Sequence, residues 1–250
     1  MISVVICSMS RQFLLNRCLE SVQKQDLHIA DNEIYILDTK LKIARLDGVR
    51  RTSQELVLFL DEDCELPDSQ YLNRLQRAYQ MSDKKSILGG CYLNSRQAGY
   101  SAKAYNSLCN SWVLSTGQDQ TIENLLGGCL AIPRKILDQN TLNECTSWGG
   151  EDTFLLRQLQ KGGVRLTLLR ELDVVHHAQG TIAKWIRRGF RQGYHREKYF
   201  LSSKKKNFST RLLYQGVVFF PYYFMHFLSL FGGMLFFRAL NSNHHKSKKA

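Results

Sequence analysis

The sequence is short of proline and lacks any regular cysteine pattern. Its 250 residues include only 3 prolines, which excludes an architecture built on proline-rich linkers. The 7 cysteines show neither a CxxC motif nor zinc-finger spacing, so no disulfide framework or structural zinc site is expected. We interpret them as reduced, buried thiols of a cytosolic chain. Residues 2–6 are too few for a secretory signal and predict a first buried strand.

Acidic residues are scarce in one part of the chain. The last 75 residues contain one acid, Glu197, against 14 Lys and Arg, whereas the first 175 contain 21 Asp and Glu against 20 Lys and Arg. The net charge of +12 therefore belongs to the C-terminal segment, and the larger N-terminal part is close to neutral. An anionic partner is expected for that segment alone. The neutral N-terminal part argues against a nucleic-acid-binding protein, so no nucleic acid is expected as a partner.

The basic segment also contains the longest uncharged run, residues 212–237, which is rich in Phe and Tyr. About 18 apolar residues in succession are enough to cross a membrane. Basic residues flank the run on both sides, which fits poorly with a single span, and Pro221 and Gly232-Gly233 can divide it into two shorter pieces. We expect a re-entrant or interfacial attachment to a membrane surface, with one full span or a buried core helix as alternatives.

Short apolar segments alternate with amphipathic ones in the neutral part. This alternation predicts an α/β fold with a mostly parallel sheet and flanking helices, which binds its ligand at the carboxyl ends of the strands. The predicted strands cover residues 3–7, 33–37, 56–60, 87–93, 165–169 and 174–177, and the predicted helices cover residues 11–25, 69–81 and 152–161.

An acidic triplet, Asp61-Glu62-Asp63, directly follows the predicted strand at residues 56–60. Where the strand ends and the chain turns, the side chains of Asp61 and Asp63 can converge. Hard carboxylate ligands suit Mg²⁺ or Mn²⁺ that is held partly by the phosphates of a substrate. An acidic triplet is also typical of a solvated turn or a helix cap, and the residues alone leave both interpretations open.

Two further polar pairs lie at predicted element ends. Glu151-Asp152 opens a predicted helix, where a carboxylate either caps the helix or faces the cleft as a general base. His176-His177 ends the last predicted strand, where the side chains are either structural or metal ligands.

Taken in chain order, these features resemble a known enzyme family. A first strand ends in Cys7-Ser8, a Leu-x-x-Cys-Leu-x-Ser-Val helix follows, and the acidic triplet, Gly127-Gly128 and Glu151-Asp152 come later in the same order. This order is similar to that of the GT-A (Rossmann-like) glycosyltransferases of family 2, inverting enzymes that transfer a sugar from a nucleotide diphosphate sugar. The resemblance implies a GT-A catalytic domain at residues 1–200, and the charge and the apolar run predict a basic, membrane-associated helical segment and tail at residues 201–250.

The resemblance also implies a role for each matching residue. Asp61 and Asp63 match the DxD motif, whose divalent ion, Mg²⁺ or Mn²⁺, bridges the phosphates of the donor, with Asp63 as the direct ligand. Asp152, together with Glu151 of the same motif, matches the catalytic base that deprotonates the acceptor hydroxyl. His176, with His177 as the neighbouring alternative, matches the histidine that closes the metal site. The residues implied to contact the donor are Ser8, Asp38, Arg45, Asp61, Gly127, Gly128, Arg188 and Arg191.

Arg188 and Arg191 belong to an Arg-rich stretch with interleaved aromatics at residues 185–196. The stretch resembles the Arg-rich helix of the same family, in which an Arg faces the leaving diphosphate. Its remaining charge can meet anionic lipid headgroups. A nucleic-acid surface and a solvated helix face are the alternatives.

Two departures from the family pattern concern the donor. The family often has Thr-Tyr-Asn after the first strand, where this chain has Ser8-Met9-Ser10, and a helix-strand unit between Asp38 and Asp61 looks shortened or missing. The sequence therefore leaves the nucleotide and the sugar open. The resemblance implies sugar transfer to a glycan or lipid-linked acceptor, as in polysaccharide biosynthesis, on the cytoplasmic face of a membrane. The alternative is a non-catalytic nucleotide-sugar-binding or scaffolding subunit of a membrane glycan-assembly complex.

Overall fold

The computed structural model describes most of the neutral part of the chain and a few pieces of the basic part. The described residues are 1–9, 11–29, 33–38, 41–114, 122, 124–137, 151–178, 186–187, 189–190, 224–225, 228–229, 231–232 and 235. Arg188 and Arg191 lie outside them, and the predictions for these two residues stay predictions. The boundary predicted near residue 200 also lies outside them.

Nine strands lie within the described residues and form two sheets. They are β1 (Ile2–Ser8), β2 (Ile34–Asp38), β3 (Leu56–Asp61), β4 (Cys64–Glu65), β5 (Ser86–Gly89), β6 (Tyr92–Asn94), β7 (Cys129–Pro133), β8 (Arg165–Leu168) and β9 (Val174–His176). The larger sheet has the order β2-β1-β3-β7-β5-β8, and only β7 runs antiparallel to its neighbours. The prediction of a mixed α/β fold with a mostly parallel central sheet is therefore confirmed.

Five helices are described: α1 (Gln12–Gln23), α2 (Leu41–Arg51), α3 (Tyr71–Met81), α4 (Tyr100–Leu114) and α5 (Glu151–Lys161). α1, α3 and α5 lie where the sequence predicts helices. α5 ends at Lys161, two residues before Gly163, whose φ is 82°. Residues that have a Cβ disfavour this backbone conformation, so glycine is suited to the helix end. α2 and α4 were not predicted. The connection from β2 to β3 contains the single helix α2.

The core lies on both faces of the large sheet. All seven residues of β1 and five of the six in β3 are buried, as expected for central parallel strands that are covered on both sides. α1 buries Leu14, Cys18 and Val22, and Cys18 and Val22 belong to the same core cluster as the residues of β1 and β3.

A small three-stranded sheet in the order β4-β9-β6 stands beside the carboxyl ends of the central strands. The sequence predicts one extended segment over residues 87–93, but the structure divides it into β5 and β6, which belong to different sheets. Gly90 lies at the division, where a Cβ would be only 2.0 Å from the carbonyl oxygen of Leu172. The backbone at Leu172 therefore packs closely against Gly90, at the point where the chain passes from the large sheet to the small one.

The apolar run of the C-terminal segment was predicted to attach the chain to a membrane. Among the described residues, no helix combines the length and apolar character needed to cross a bilayer.

Candidate active site

The acidic triplet lies at the carboxyl end of β3, beside the end of β1 and the start of β7. The Asp61 N–H donates to the Gly128 carbonyl at 2.9 Å, and the Glu62 N–H donates to the Cys7 carbonyl at 3.1 Å. These backbone bonds extend the strand pairing by one residue on each side. The triplet is therefore anchored to both neighbouring strands.

Asp63 and His176 meet because β4 pairs with β9. Cys64 lies opposite His176 in this antiparallel pair, and the next pair along is Asp63 with His177, whose N–H donates to the Asp63 carbonyl at 2.8 Å, so Asp63 adjoins both histidines. His176 Nε2 is 3.7 Å from Asp63 Oδ1. The second carboxylate oxygen, Oδ2, accepts a hydrogen bond from the Arg11 guanidinium at 3.0 Å. Both side chains of the pair are largely buried, so little bulk water screens them.

His177 faces a different carboxylate. Its Nε2 lies 2.8 Å from Glu65 Oε2, and Arg17 donates to the same oxygen at 2.9 Å. Burial raises the pKa of Glu65, but the hydrogen bonds from His177 and Arg17 outweigh burial and hold that pKa below its ordinary value. Of the two histidines, the one whose ring faces Asp63 is therefore His176.

Asp61 lies near the buried Arg45. The Arg45 guanidinium is buried, donates to the Gly127 carbonyl at 3.1 Å and lies 4.0 Å from Asp61 Oδ1. Within the ranges that the structure describes, no group of three or more His, Cys, Asp and Glu side chains is arranged to hold a metal ion. Asp63 and His176 are thus two ligands of a candidate site that a substrate would have to complete.

Asp152 packs directly against Gly127. A Cβ at position 127 would lie 2.1 Å from Asp152 Oδ2 and 2.8 Å from Asp152 Cβ. The other carboxylate oxygen, Oδ1, accepts the Thr153 N–H at 2.7 Å, which is a helix-start interaction of α5. Oδ1 therefore accepts from the backbone of α5, whereas Oδ2 lies at Gly127, whose carbonyl accepts a hydrogen bond from Arg45. Glu151 is the first residue of α5.

Gly128 is needed for a different contact. A Cβ there would lie 2.4 Å from the Tyr92 hydroxyl, which accepts the Gly128 N–H at 3.1 Å. The resemblance attributes both glycines to the approach of the sugar, whereas their crowding here comes from Asp152 and Tyr92.

The residue between the two aspartates, Glu62, has a role that the sequence did not indicate. Its side chain is 1% exposed and accepts hydrogen bonds from the Ser8 hydroxyl at 2.8 Å, the Met9 N–H at 2.9 Å, the Arg11 N–H at 3.2 Å and the Arg11 guanidinium. Burial raises the pKa of Glu62, but these hydrogen bonds and the charge of Arg11 lower it below its ordinary value. Glu62 therefore fixes the segment that follows β1.

Two of the residues predicted to contact the nucleotide are neighbours. Ser8 and Asp38, the last residues of β1 and β2, are paired in register. Ser8 is buried, and its hydroxyl donates a hydrogen bond to Glu62. The roles of both in donor binding stay predictions.

Arg11 and Asn106 complete the surroundings of Asp63 and His176. Arg11 bridges Glu62 and Asp63, and Asn106 on α4 lies 2.6 Å from His176 Nδ1. A basic residue just after the first strand could have indicated Arg11 as a site residue. Asn106 is one polar residue in a helix that was not predicted, and no motif in the sequence marks it as a site residue.

The donor set fits a divalent ion. A carboxylate oxygen and an imidazole nitrogen 3.7 Å apart are spaced as two ligands of one ion are, and both suit Mn²⁺. Mg²⁺ and Mn²⁺ commonly combine one or two protein carboxylates with substrate phosphates, which agrees with the small number of protein ligands.

No protein-family model matches this sequence, and no curated protein sequence matches it. Among solved structures, the mannosyltransferase PcManGT from Pyrobaculum calidifontis in complex with GDP-Man and Mn²⁺ matches with a TM-score of 0.56 at 14% identity, over 100% of this chain and 80% of that one. S. aureus TarS 1–349 in complex with UDP-GlcNAc matches with a TM-score of 0.52 at 12% identity, over 90% of this chain and 72% of that one. At such identities the likeness concerns the fold: the chain has the GT-A-like fold of these glycosyltransferases.

Proposed function

We propose that this chain is an inverting, metal-dependent glycosyltransferase of family 2 that moves a sugar from a nucleotide diphosphate sugar to a glycan or lipid-linked acceptor. The observation that carries the proposal is the arrangement of Asp63, His176 and Asp152 around one edge of a GT-A-like sheet. The mannosyltransferase with this fold was crystallised with GDP-Man and Mn²⁺, and TarS with UDP-GlcNAc, which supports a nucleotide-sugar donor.

Asp63 and His176 would hold the ion, with Asp61 at the donor side. A bound Mg²⁺ or Mn²⁺ neutralises the charge of the departing diphosphate. Arg11 holds Asp63 Oδ2, which leaves Oδ1, the oxygen that faces His176, for the ion. Ser8 and Asp38 end the neighbouring strands β1 and β2, and Arg45 on α2 lies near Asp61; these three residues would bind the nucleotide.

Asp152 would act as the general base. Its Oδ1 already accepts the Thr153 N–H, so Oδ2 is the atom that takes the proton of the acceptor hydroxyl. The acceptor oxygen forms its bond to the anomeric carbon while the bond to the diphosphate breaks, and the electron pair leaves with the diphosphate. Attack from the face opposite the diphosphate inverts the anomeric centre.

A paired substitution tests this function. The donor is first found by screening nucleotide sugars with Mn²⁺ for thermal stabilisation of the protein. Asp152→Asn should then lower kcat by about 10²- to 10⁴-fold, the usual contribution of a general base, and leave donor affinity unchanged. Asp68→Asn is the matched control, because Asp68 also accepts backbone N–H at a helix start, that of Gln70 at 2.9 Å. Substantial turnover by the Asp152 variant would remove Asp152 from the role of base.

The alternative function is a non-catalytic nucleotide-sugar-binding or scaffolding subunit of a membrane glycan-assembly complex. The short β2–β3 connection, with only α2 in it, favours it. Donor binding without transfer or hydrolysis for every nucleotide sugar tested would support this alternative.

We also propose that the C-terminal segment attaches the enzyme to the cytoplasmic face of a membrane. In the sequence, Phe224, Leu228, Phe231 and Leu235 follow one another at spacings of 4, 3 and 4, the spacing typical of the apolar face of a helix. Each is 49–58% exposed. The run is flanked by basic clusters at residues 204–206 and 246–249, which complement an anionic lipid surface.

Vesicle binding tests the attachment. The full chain should co-sediment with vesicles that contain anionic lipid and much less with purely zwitterionic ones. Leu228→Glu should release it, whereas Met81→Glu, at an exposed apolar residue of α3, should not. Equal binding of both variants would contradict the proposed face.

A further inference from the structure

His176 has a second polar neighbour besides Asp63. Its Nε2 faces Asp63 Oδ1 at 3.7 Å, and its Nδ1 lies 2.6 Å from Asn106 Oδ1. Asn106 is 1% exposed. The Tyr92 ring stacks on the imidazole with 4.1 Å between ring centroids, which holds the plane of the imidazole.

The orientation of the Asn106 amide follows from its other contacts. Its Nδ2 lies 3.2 Å from the His176 carbonyl oxygen, 3.0 Å from Asn94 Oδ1 and 3.4 Å from the Leu93 carbonyl oxygen. A flipped amide would set its oxygen against two backbone carbonyl oxygens with no hydrogen between them, which is unfavourable in a buried place. The nitrogen therefore faces the carbonyls, and the oxygen faces the imidazole.

This orientation determines which imidazole nitrogen carries the hydrogen. An amide oxygen can only accept, so at 2.6 Å the hydrogen has to be on Nδ1 of His176. In the neutral ring Nε2 then carries a lone pair instead of a hydrogen. That lone pair is directed towards Asp63 Oδ1, which is itself an acceptor.

We propose that Asn106 is a positioning residue that fixes the Nδ1–H tautomer of His176 and so presents the Nε2 lone pair beside Asp63. Two acceptors that face each other at 3.7 Å form a site complementary to a cation. A buried partner on the far nitrogen is how proteins orient an imidazole ligand and set its tautomer. The inference rests on the metal site of the proposed function, but it can be measured without metal.

The first experiment measures the tautomer in the metal-free protein. Long-range ¹H–¹⁵N correlation spectra, recorded where the ring is neutral, distinguish Nδ1–H from Nε2–H, and the spectrum of His176→Ala assigns the signals. The wild type should show Nδ1–H. Asn106→Leu should shift the ring towards Nε2–H, whereas Asn106→Asp, whose carboxylate still accepts from Nδ1, should keep the wild-type tautomer.

Asn110 offers a matched control one turn later on α4. Its amide accepts the Tyr92 N–H at 2.8 Å and donates to the Tyr92 carbonyl at 2.9 Å, so Asn110→Leu also removes two partly buried hydrogen bonds within this region. It should leave the tautomer of His176 unchanged. If both leucine variants shift the ring equally, Asn106 has only a general structural role and the proposal is wrong.

The second experiment measures Mn²⁺ binding by electron paramagnetic resonance in the presence of the nucleotide sugar found by thermal screening, because the two protein ligands need a substrate to complete the site. Asn106→Leu should weaken binding by about 10- to 100-fold, as is typical when the outer partner of a ligand is lost, and Asn110→Leu should not. A wild-type Nε2–H tautomer, or Asn106→Leu with unchanged tautomer, would overturn the inference. The Nδ1–H tautomer without Mn²⁺ binding by any variant would support the positioning role and contradict the metal site. Should Asn106→Leu not fold, the wild-type and Asn106→Asp spectra still decide.

Discussion

Replacing Gly127 by Ala should displace the carboxylate of Asp152. The added Cβ would lie 2.1 Å from Asp152 Oδ2, and real Cβ contacts essentially never fall below 3.0 Å, so a separation of about 0.9 Å has to be gained. Rotation of the Asp152 side chain alone does not provide it, because the Cβ would also lie 2.8 Å from Asp152 Cβ, whose position does not depend on the rotamer. The start of α5 or the Gly127 segment must move as well.

This displacement has consequences for both activity and stability. A misplacement of about 1 Å in a catalytic group can cost about 100-fold in rate, which corresponds to about 2.7 kcal/mol in activation free energy. Overpacking of this kind also lowers the free energy of unfolding by about 1–3 kcal/mol. Gly127→Ala should therefore reduce kcat by about 100-fold and lower the midpoint of chemical denaturation.

Gly99→Ala is the matched control, because a Cβ at Gly99 meets nothing within 4 Å. It should leave both kcat and the denaturation midpoint close to the wild-type values. The assay is steady-state transfer with the donor found by thermal screening, together with urea denaturation of both variants. Wild-type turnover by Gly127→Ala would refute the reasoning that Asp152 acts from its position against Gly127.

Three further substitutions test the surroundings of the site. His176→Ala should abolish Mn²⁺-dependent thermal stabilisation, whereas His177→Ala, which loses only the partner of Glu65, should keep it; the reverse result would assign the metal to His177. Glu62→Gln should lower the free energy of unfolding at pH 7 by about 1.5–3 kcal/mol, the usual contribution of a hydrogen bond to a charged group. In the folded protein the pKa of Glu62 is lowered from 4.5. The stabilisation by the ionised carboxylate is therefore present above pH 4.5 and is lost as the pH falls through the folded pKa. The stabilities of the wild type and of Glu62→Gln should converge below pH 4.5, and a constant difference would contradict this.

Much of the fold could be predicted because it depends on local pattern. The buried strands β1 and β3 read as continuous apolar runs, and α1, α3 and α5 carry apolar residues at helical spacing. α2 and α4 were not predicted, since their apolar residues do not form one clear stripe. β6 was not separated from β5, because the contact that divides them at Gly90 comes from a turn about 80 residues later.

The candidate site divides in the same way. Residue type and order along the chain pointed to Asp61, Asp63, Asp152 and the histidine pair, since polar residues at strand ends share one edge of a parallel sheet. The sequence did not distinguish His176 from His177. The pairing of β4 with β9 brings both histidines to Asp63 and Glu65, and the side-chain contacts separate them: the His176 ring lies by Asp63, and the His177 ring lies by Glu65.

The sequence by itself determined the alternating α/β pattern, the acidic triplet at a strand end and the concentration of positive charge beyond residue 175, because each is local in the chain. Only the tertiary structure decided that Glu62 is a buried anchor for the segment after β1, that Gly127 makes room for Asp152, and that Asn106 contacts His176. Glu62 and Ser8 are 54 residues apart in sequence, and Asn106 and His176 are 70 apart. Contacts over such separations depend on strand order and register, which no short stretch of the chain encodes.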